Sequence, residues 1–449
     1  MKIKSLLFYL AVVVFIMVTF SAFAGQISIL HDFNGGGDDG RWPYSSLTMS
    51  GDMFYGVTQH GGDSDQGTVF KISTDGTGFT LLHEFTSWSA QGQWPVGELT
   101  LSGGTLYGMT MSGGDTNKGA IYSVGADGGS FTVLHNFQAG SDDGWQPMAG
   151  MTLTGSSLYG MTYRGGDYDE GTIFRINTDG SGFTMLHDFL GGSNDGFYPK
   201  GPLSYSDGWL YGTTYEGGQD YGVVFKIDTS GSGFTLLHKF NPFVGDDGND
   251  PEAGVLVSGS TLYGMTNVGG GTGKSGVIYT MDTTGSGYTV LHRFVVGDGS
   301  GPKGDLTISE GKLYGTTRVG GDSNYGVIFE MTTDGAGYTI LHEFLGAPDD
   351  GKEPYTGSLK ISDNILYGMT VFGGDSDYGV VFSLNTTGDI PEPSTLLLLV
   401  PFLVGFGWWY RRRKLVCHSR ALRLESHEHS EVDFASRRVL LRKNGNLRQ

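Results

Sequence analysis

Pairs of carboxylate or amide side chains, two residues apart and flanked by glycine, recur along this 449-residue chain. Such oxygen ligands can bend around a hard cation, which makes Ca²⁺ the candidate cofactor of these loops. The loops lack the further ligands and the distal Glu of an EF-hand, and Asp and Asn also stabilise tight turns by bonding their own backbone. Turn formation is the preferred interpretation, and cation binding is the hypothesis to test. The candidate cation-binding residues are Asp63 and Asp65, Asp115 and Asn117, Asp167 and Asp169, Asp322 and Asn324, and Asp375 and Asp377.

A second acidic set is accompanied by aromatic residues that stand shortly before a proline. Neighbouring aspartates, such as Asp38 and Asp39, precede several of these aromatic residues. Flat rings beside carboxylates can stack on sugar faces while the carboxylates accept hydroxyl hydrogen bonds. Packing of the loops over the fold is the alternative, and it is preferred. The candidate ligand-binding residues are Trp42, Trp94, Trp145 and Tyr198.

Two further features resemble catalytic motifs, but we interpret both as parts of the fold. The phrase Leu-His-x-Phe occurs seven times, and strand alternation in FTLLHEF places Phe79, Leu81, His83 and Phe85 on one face. We interpret the repeated His as a packing residue, because catalytic residues are usually unique. The segment GTGKSG at 271–276 lacks both the earlier glycine and the following helix of a phosphate-binding loop. No catalytic residue is predicted.

Internal repeats define the elements that must position these residues. A Tyr-Gly pair within the phrase Tyr-Gly-x-Thr first appears at Tyr55 and occurs seven times, at steps of 51 to 53 residues. Turn signals divide each unit into four short β-rich runs, here named strands a, b, c and d, which in residues 97–137 are ELTLS, TLYGMTM, GAIYSV and SFTVLHNF. A parallel β-helix fits these repeats less well, because its coils are shorter than the repeat and contain only two or three strands. The prediction is an all-β, kelch-like, seven-bladed β-propeller with four antiparallel strands per blade.

The first and last units predict how the ring closes. The last unit lacks a strand d, whereas residues 26–33, QISILHDF, supply a strand d with no unit before it. If this N-terminal strand completes the last blade, all blades have four strands and the sheet edges are protected. The b–c and d–a loops of a four-stranded meander emerge at the same end, so both acidic sets are expected on one face. The predicted propeller domain spans residues 26–388.

The composition and the N-terminus bound the class of protein. Residues 1–24 combine Lys2 and Lys4, an apolar run and the tripeptide Ala-Phe-Ala, which predicts a secretory signal peptide; an uncleaved anchor is the alternative. The net charge is −19, but residues 25–410 carry −28, from 15 Lys and Arg against 43 Asp and Glu. Such an acidic body is expected to repel nucleic acid and anionic membrane surfaces. The single Cys excludes disulfides within the chain.

The phrases LYGMT or LYGTT, GG…G(T/V)(V/I)F, DGxGFT and LHxF together resemble the GloVer tandem repeat of choice-of-anchor surface proteins, over roughly residues 26–388. The resemblance implies an exported surface protein, and it carries no assigned enzymatic activity. Residues 389–414 resemble a PEP-CTERM sorting signal, because they contain a Pro-Glu-Pro motif, an apolar, transmembrane-like span and a basic cluster. The residues that carry this second resemblance are Pro391, Glu392, Pro393, Arg411, Arg412 and Arg413.

The sorting signal implies a partner and a location. The partner is an exosortase-type sorting enzyme, and the location is the inner membrane of a Gram-negative bacterium before transfer to the envelope or extracellular matrix. Permanent membrane anchoring is the alternative. Residues 415–449 form a basic tail that is atypical, since such signals normally end soon after the basic cluster. A shifted reading frame explains this tail equally well.

These observations predict a non-enzymatic, monomeric binding or structural module on the cell surface. Exopolysaccharide or another glycan is the candidate partner, and a purely structural matrix protein is a further hypothesis. The alternative function is a glycan-processing enzyme, a lyase or hydrolase, with its site at the propeller mouth. That alternative requires a cluster of polar residues near the central channel that differs from blade to blade.

Overall fold

The computed structural model describes residues 27–86, 90–138, 140–244, 246–271, 274–355 and 357–387, which form strands and turns without a helix. The strands assemble into seven four-stranded antiparallel sheets, in which strand order follows the chain except at the ring closure. This confirms the predicted seven-bladed β-propeller, whose blades are numbered 1 to 7 from residue 48. The signal peptide at 1–24, the sorting segment at 389–414 and the tail at 415–449 lie outside the described residues and stay predictions.

The four strands of each blade have similar lengths around the ring, apart from a long strand a in blade 2. Strands a are Thr48–Ser50, Gln93–Ser102, Thr152–Thr154, Ser204–Ser206, Leu256–Ser258, Thr307–Ser309 and Lys360–Ser362. Strands b are Met53–Thr58, Thr105–Ser112, Ser157–Thr162, Trp209–Thr214, Thr261–Thr266, Lys312–Thr317 and Ile365–Thr370. Strands c are Thr68–Ser73, Ala120–Gly125, Thr172–Asn177, Val223–Asp228, Val277–Asp282, Val327–Thr332 and Val380–Asn385. Strands d are Thr80–Glu84, Thr132–Asn136, Thr184–Asp188, Thr235–Lys239, Thr289–Arg293, Thr339–Glu343 and, for blade 7, Ser28–Asp32.

The N-terminal strand closes the ring as predicted. Ser28–Asp32 pairs antiparallel with strand c of blade 7, with Ser28 opposite Ser383 and Asp32 opposite Val380. The next residue, Phe33, is fully buried and its ring centroid lies 5.5 Å from that of Phe70 in blade 1. The N-terminal strand therefore completes blade 7 and also packs against the first blade of the ring.

The core consists of seven apolar clusters, one between each pair of adjacent blades. The glycine of each Tyr-Gly pair allows an aromatic ring of strand c to cross strand b. At Gly56 a Cβ atom would lie 2.5 Å from the Phe70 ring, a distance that requires displacement of the ring. The repeated Tyr-Gly pair is therefore a packing requirement of the blade.

Each strand d contains a β-bulge at the residue before the repeated histidine. The bulge makes the expectation of one shared face for FTLLHEF wrong. Phe79 and Leu81 pack in the cluster between blades 7 and 1, whereas Phe85 packs in the cluster between blades 1 and 2. One extra residue thus lets a single strand contribute large side chains to both neighbouring interfaces.

The b–c and d–a loops emerge on the same face of the propeller, here named the loop face. In five blades the two loops pair directly as short two-stranded sheets, which fixes their position relative to each other. These sheets join Gly40–Arg41 to His60–Gly61, Gly144–Trp145 to Arg164–Gly165, Gly196–Phe197 to Glu216–Gly217, Gly248–Asn249 to Val268–Gly269, and Gly351–Lys352 to Phe372–Gly373.

Candidate functional site

Strands a and the d–a loops that lead into them surround a central cavity of about 870 Å³. Side-chain hydroxyls join neighbouring strands a around this cavity. Thr48, for example, donates to the carbonyl of Leu99 in the next blade, and Thr100 donates to the carbonyl of Met151. Because these bonds fix the strands a relative to one another, the side chains that they and the loops carry are held in place.

In six of the seven d–a loops, the loop backbone directs one side chain to the mouth of the cavity. A residue with positive φ precedes the proline of each loop, and the mouth residue follows that proline. The residues with positive φ are Trp42, Trp94, Gln146, Tyr198, Asp250, Gly301 and Glu353. The seven mouth residues, from blade 1 to blade 7, are Tyr44, Val96, Met148, Lys200, Glu252, Lys303 and Tyr355. All of the mouth residues except Val96 line the cavity.

Three consecutive mouth residues form a charged cluster. Glu252 lies between two lysines, with one oxygen 3.5 Å from Lys200 Nζ and the other 3.0 Å from Lys303 Nζ. Asn267 donates from Nδ2 to the first of these oxygens at 3.2 Å. The side chains of Glu252 and Lys303 are only 11% and 10% exposed. Burial lowers the pKa of Lys200, and the neighbouring Glu252 opposes that shift.

Tyrosines flank the charged cluster on both sides. Lys303 Nζ donates to the Tyr355 hydroxyl at 2.8 Å, and the Tyr355 ring meets that of Tyr44 edge to face at 5.2 Å. On the other side Lys200 Nζ lies 3.3 Å from the centroid of the Tyr215 ring, a cation–π contact. Burial raises the pKa of Tyr215 to about 12, and the charges of Asp250 and Glu252 add to the effect. The Tyr215 phenol is therefore neutral at physiological pH.

In addition to the charged cluster at the mouth, an ion pair connects the strands a of two blades. Lys360 Nζ of blade 7 lies 2.8 Å from both oxygens of Glu98 in blade 2, which is not an adjacent blade. Asp305 of blade 6 is close enough to interact with both charges, and it accepts a 2.6 Å hydrogen bond from Gly254 N. Burial raises the pKa of Asp305 to about 6. Acidic and basic groups therefore lie both at the mouth and at the inner strands of the cavity.

The acidic pairs of the b–c loops have the contacts of turn residues. The second member of each pair has positive φ, and its side-chain oxygen accepts from the N–H of a glycine four residues earlier; these members are Asp65, Asn117, Asp169, Asn324 and Asp377. The first members, Asp63, Asp115, Asp167, Asp322 and Asp375, are exposed. Within the described ranges, no three His, Cys, Asp or Glu side chains are grouped so that they could hold a metal ion. These contacts support the preferred turn interpretation.

The four candidate aromatic residues lie on the loop face but do not line the cavity. Trp42 and Trp94 are half-buried and pack against His60, with ring centroids 5.1 and 5.8 Å from the imidazole. Trp145 donates from Nε1 to Asp169 at 2.8 Å. Tyr198 stacks on Tyr163 at 4.8 Å. The structure thus brings these residues into packing contacts between the loops, and it does not bring them together at one site.

The repeated histidines connect blades, as their packing interpretation predicts. His31 stacks on Phe79 of the next blade with ring centroids 3.7 Å apart, and its Nε2 forms a 3.0 Å hydrogen bond with Asp39. Six histidines have such an aspartate partner, and blade 1 has Gln91 at the equivalent position after His83. The six pairs are His31 with Asp39, His135 with Asp143, His187 with Asp195, His238 with Asp247, His292 with Asp298, and His342 with Asp350.

A family model for the Gloeobacter/Verrucomicrobia repeat matches the chain three times, over residues 13–220, 101–274 and 219–396. The chain belongs to this repeat family. The GloVer resemblance drawn from the sequence is thereby confirmed, whereas the PEP-CTERM resemblance at 389–414 stays a prediction. No curated protein matches the chain in sequence.

Several solved structures are similar to this family member at low sequence identity. An oligogalacturonate lyase in complex with manganese is 11% identical, with a TM-score of 0.51 over 83% of this chain and 94% of that chain. A puromycin-hydrolyzing peptidase of Mycobacterium tuberculosis is 13% identical, with a TM-score of 0.49 over 77% of this chain and 52% of its own. TolB from Acinetobacter baumannii is 14% identical, with a TM-score of 0.42 over 67% of this chain and 63% of that chain.

Within the described residues, no helix has the length and apolarity needed to span a membrane.

The mouth residues of this repeat-family member were missed by reasoning on repeats. Repetition directs attention to positions that are the same in every unit, and the mouth position is the one that differs. A sequence signal does exist, because the residue after each loop proline changes from Tyr44 through Met148 to Lys200 while its surroundings repeat. The resulting arrangement offers ammonium and phenol donors beside carboxylate acceptors at the end of the cavity that the d–a loops line.

Proposed function

We propose that this repeat propeller is an exported binding module that holds a saccharide at the mouth of its central cavity. The single observation that carries the proposal is the cluster of Lys200, Glu252 and Lys303. Val96 and Met148 occupy the same position in other blades, so the fold accepts apolar side chains there. Burying three charges at equivalent positions costs free energy of desolvation that packing alone does not require. A ligand-binding role explains why these charges are present.

A saccharide fits the chemistry of the mouth. Sugar hydroxyls donate and accept hydrogen bonds, and the mouth offers both the Glu252 carboxylate and the Lys303 ammonium within a few ångströms of each other. Tyr44 and Tyr355 add aromatic surface, which sugars contact through their C–H faces. The cavity volume of about 870 Å³ lies within the usual range for small-molecule sites. These properties support a short oligosaccharide segment as the ligand.

The export part of the proposal rests on the ends of the chain. The predicted signal peptide at 1–24 and the PEP-CTERM resemblance at 389–414 support transport across the inner membrane and sorting by an exosortase. The protein then acts in the envelope or exopolysaccharide, where a glycan ligand is available. Mass spectrometry of the protein released by the native host tests this part. A mass that lacks the residues beyond about 391 is expected, and a full-length membrane-bound form would contradict it.

Binding is tested with the purified full-length protein on a glycan array, followed by calorimetry on any oligosaccharide that binds. Lys303→Met removes both the ion pair with Glu252 and the hydrogen bond to Tyr355, and is expected to weaken binding about tenfold or more. Lys71→Met is the matched control, because Lys71 lies on strand c of blade 1, away from the cavity lining. Equal affinities for the two variants would refute a site at the mouth.

A glycan-processing lyase or hydrolase is the second candidate function, and one observation favours it. The enzyme alternative requires a polar cluster that differs between blades, and the mouth contains one. Asp305, whose pKa burial raises to about 6, also provides a carboxyl group that can carry a proton near neutral pH. Incubation of each bound oligosaccharide with the protein, followed by chromatography of the products, separates the candidates. Release of shorter fragments that Asp305→Asn abolishes would establish the enzyme, and intact ligand would support the binding module.

A further inference from the structure

We propose that the cavity mouth selects neutral saccharides over acidic ones, because both lysines that could bind a sugar carboxylate are already paired with Glu252, and further carboxylates lie close by. This inference rests on the proposed function and assigns the ligand class. A basic mouth in a strongly acidic domain would be the natural place to capture a uronic acid. The contacts within the mouth argue for the opposite preference.

Each lysine or arginine described at the cavity has a carboxylate partner within the chain. Lys200 and Lys303 share the two oxygens of Glu252, and Lys360 is held by Glu98. Arg318, beside the mouth, lies 3.4 Å from Glu353. A ligand carboxylate would therefore have to displace one of these internal partners before it could contact an ammonium or guanidinium group.

Further carboxylates make the surroundings of the mouth unfavourable for an anion. Asp250 and Glu216 lie near the charged cluster, and their charges contribute to the raised pKa of Tyr215. Burial raises the pKa of Asp250, and the nearby charge of Glu252 adds to that shift. A further negative charge within this partly desolvated region would be repelled, because Coulomb interactions strengthen as the local dielectric constant falls.

Neutral hydroxyls meet no such barrier. A sugar hydroxyl can accept from Lys303 while another donates to Glu252, and the ion pair stays intact. The Glu252 side chain is also held by the Asn267 amide, so its carboxylate is already oriented toward its neighbours. The Glu252 carboxylate thus favours a neutral ligand and also determines the geometry of the site.

The test compares matched oligosaccharides that differ only in oxidation at C6, for example galactose against galacturonic acid oligomers of equal length. Calorimetry with the full-length protein is expected to show at least about tenfold tighter binding of the neutral member. Glu252→Gln keeps the shape of the side chain and an acceptor for Asn267 but frees both lysines. This variant is expected to bind the acidic oligomer at least about tenfold more tightly than the wild-type protein does. Glu310→Gln, at an exposed a–b turn on the opposite face, is the control and is expected to change neither affinity.

The outcomes separate this inference from the proposed function. If wild-type protein binds the acidic oligomer as tightly as the neutral one, or more tightly, the inference is wrong while saccharide binding stands. If Glu252→Gln leaves the preference unchanged, Glu252 does not set it and the inference is equally wrong. Binding of neither oligomer class by wild-type protein, across the array, would overturn the proposed function itself. Should Glu252→Gln fail to fold, salt titration of the wild-type complex replaces it, and binding that weakens strongly with salt would contradict a neutral ligand.

Discussion

Lys303 Nζ and Glu252 Oε2 lie 3.0 Å apart across adjacent blades, and both side chains come from the residue that follows a loop proline. The same position holds Met148 in blade 3 and Tyr44 in blade 1, so one structural position serves packing in some blades and polar chemistry in others. The seven repeated blades form a rigid scaffold. The candidate site arises because the residue after the loop proline differs from blade to blade.

Closure of the ring predicts that the N-terminal strand stabilises the protein as much as any internal strand. Phe33→Ala removes a fully buried ring at the boundary of blades 7 and 1, and is expected to lower the free energy of unfolding by about 3–5 kcal/mol. Phe189→Ala, at the equivalent position directly after strand d of blade 3, is the matched comparison. Urea denaturation measures both. A cost for Phe33→Ala far below that for Phe189→Ala would mean that the N-terminal strand does not complete the ring.

The burial of His83 predicts that the folded protein loses stability in mild acid. Burial lowers its pKa from 6.5 to about 4, so the unfolded chain binds a proton on this group more readily than the folded protein does. The contribution of His83 to stability is therefore retained above about pH 6.5 and lost as the pH falls toward 4. His83→Gln is expected to reduce this loss, measured as the urea midpoint from pH 7 to pH 4. His31→Gln, which removes a histidine with an aspartate partner, is the control; an equal reduction in both variants would contradict the role assigned to His83.

Asp305 predicts a pH dependence of opposite sign. Burial raises the pKa of this carboxyl group from 3.8 to about 6, so the folded protein retains a proton that the unfolded chain has already lost. Its ionisation therefore destabilises the fold at neutral pH, and that effect disappears as the pH falls from about 6 toward 4. Asp305→Asn, which keeps an acceptor for Gly254 N, is expected to be more stable than wild type at pH 7 and no more stable at pH 4. Thermal unfolding at both pH values measures this, and a stability loss at pH 7 would contradict it; Asp334→Asn, in an exposed turn, should give no gain.

The aromatic residues before the loop prolines are expected to contribute to stability and not to saccharide affinity. Trp94 packs against His60 and lies outside the cavity lining. Trp94→Ala should therefore lower the melting temperature while leaving the affinity of any bound oligosaccharide within about twofold of wild type. Tyr355→Phe, which removes the hydroxyl that accepts from Lys303, is the comparison at the mouth and should weaken binding. If Trp94→Ala weakened binding and Tyr355→Phe did not, the ligand would bind at the loop aromatic residues and not at the mouth.

The sequence was sufficient for the architecture because the architecture depends on what repeats. The Tyr-Gly pair, the turn signals and the unpaired N-terminal strand together specify four strands per blade and the closing contact at Ser28–Asp32. The spacing of eight residues between His31 and Asp39, which recurs in several loops, would also have revealed the histidine–aspartate pairs. The β-bulge was not predictable from alternation, because one extra residue reverses the direction of the side chains that follow it.

The cavity could not be predicted from local sequence, because its side chains meet only through the radial geometry of the ring. Glu98 and Lys360 are 262 residues apart in the chain and belong to blades that are not adjacent. Their ion pair depends on how far strands a reach toward the axis, which no period in the sequence encodes. The mouth cluster is likewise a property of three neighbouring loops, each of which contributes one side chain.

A crystal structure of the protein soaked with a neutral oligosaccharide that it binds in solution tests the central claim most directly. The account predicts density for a sugar ring at the cavity mouth, with hydroxyls in hydrogen-bond contact with Glu252 and Lys303 and a ring face against Tyr44 or Tyr355. Density over Trp42 and Trp94 or along the aspartate-rich loops, with nothing bound at Glu252 and Lys303, would contradict it.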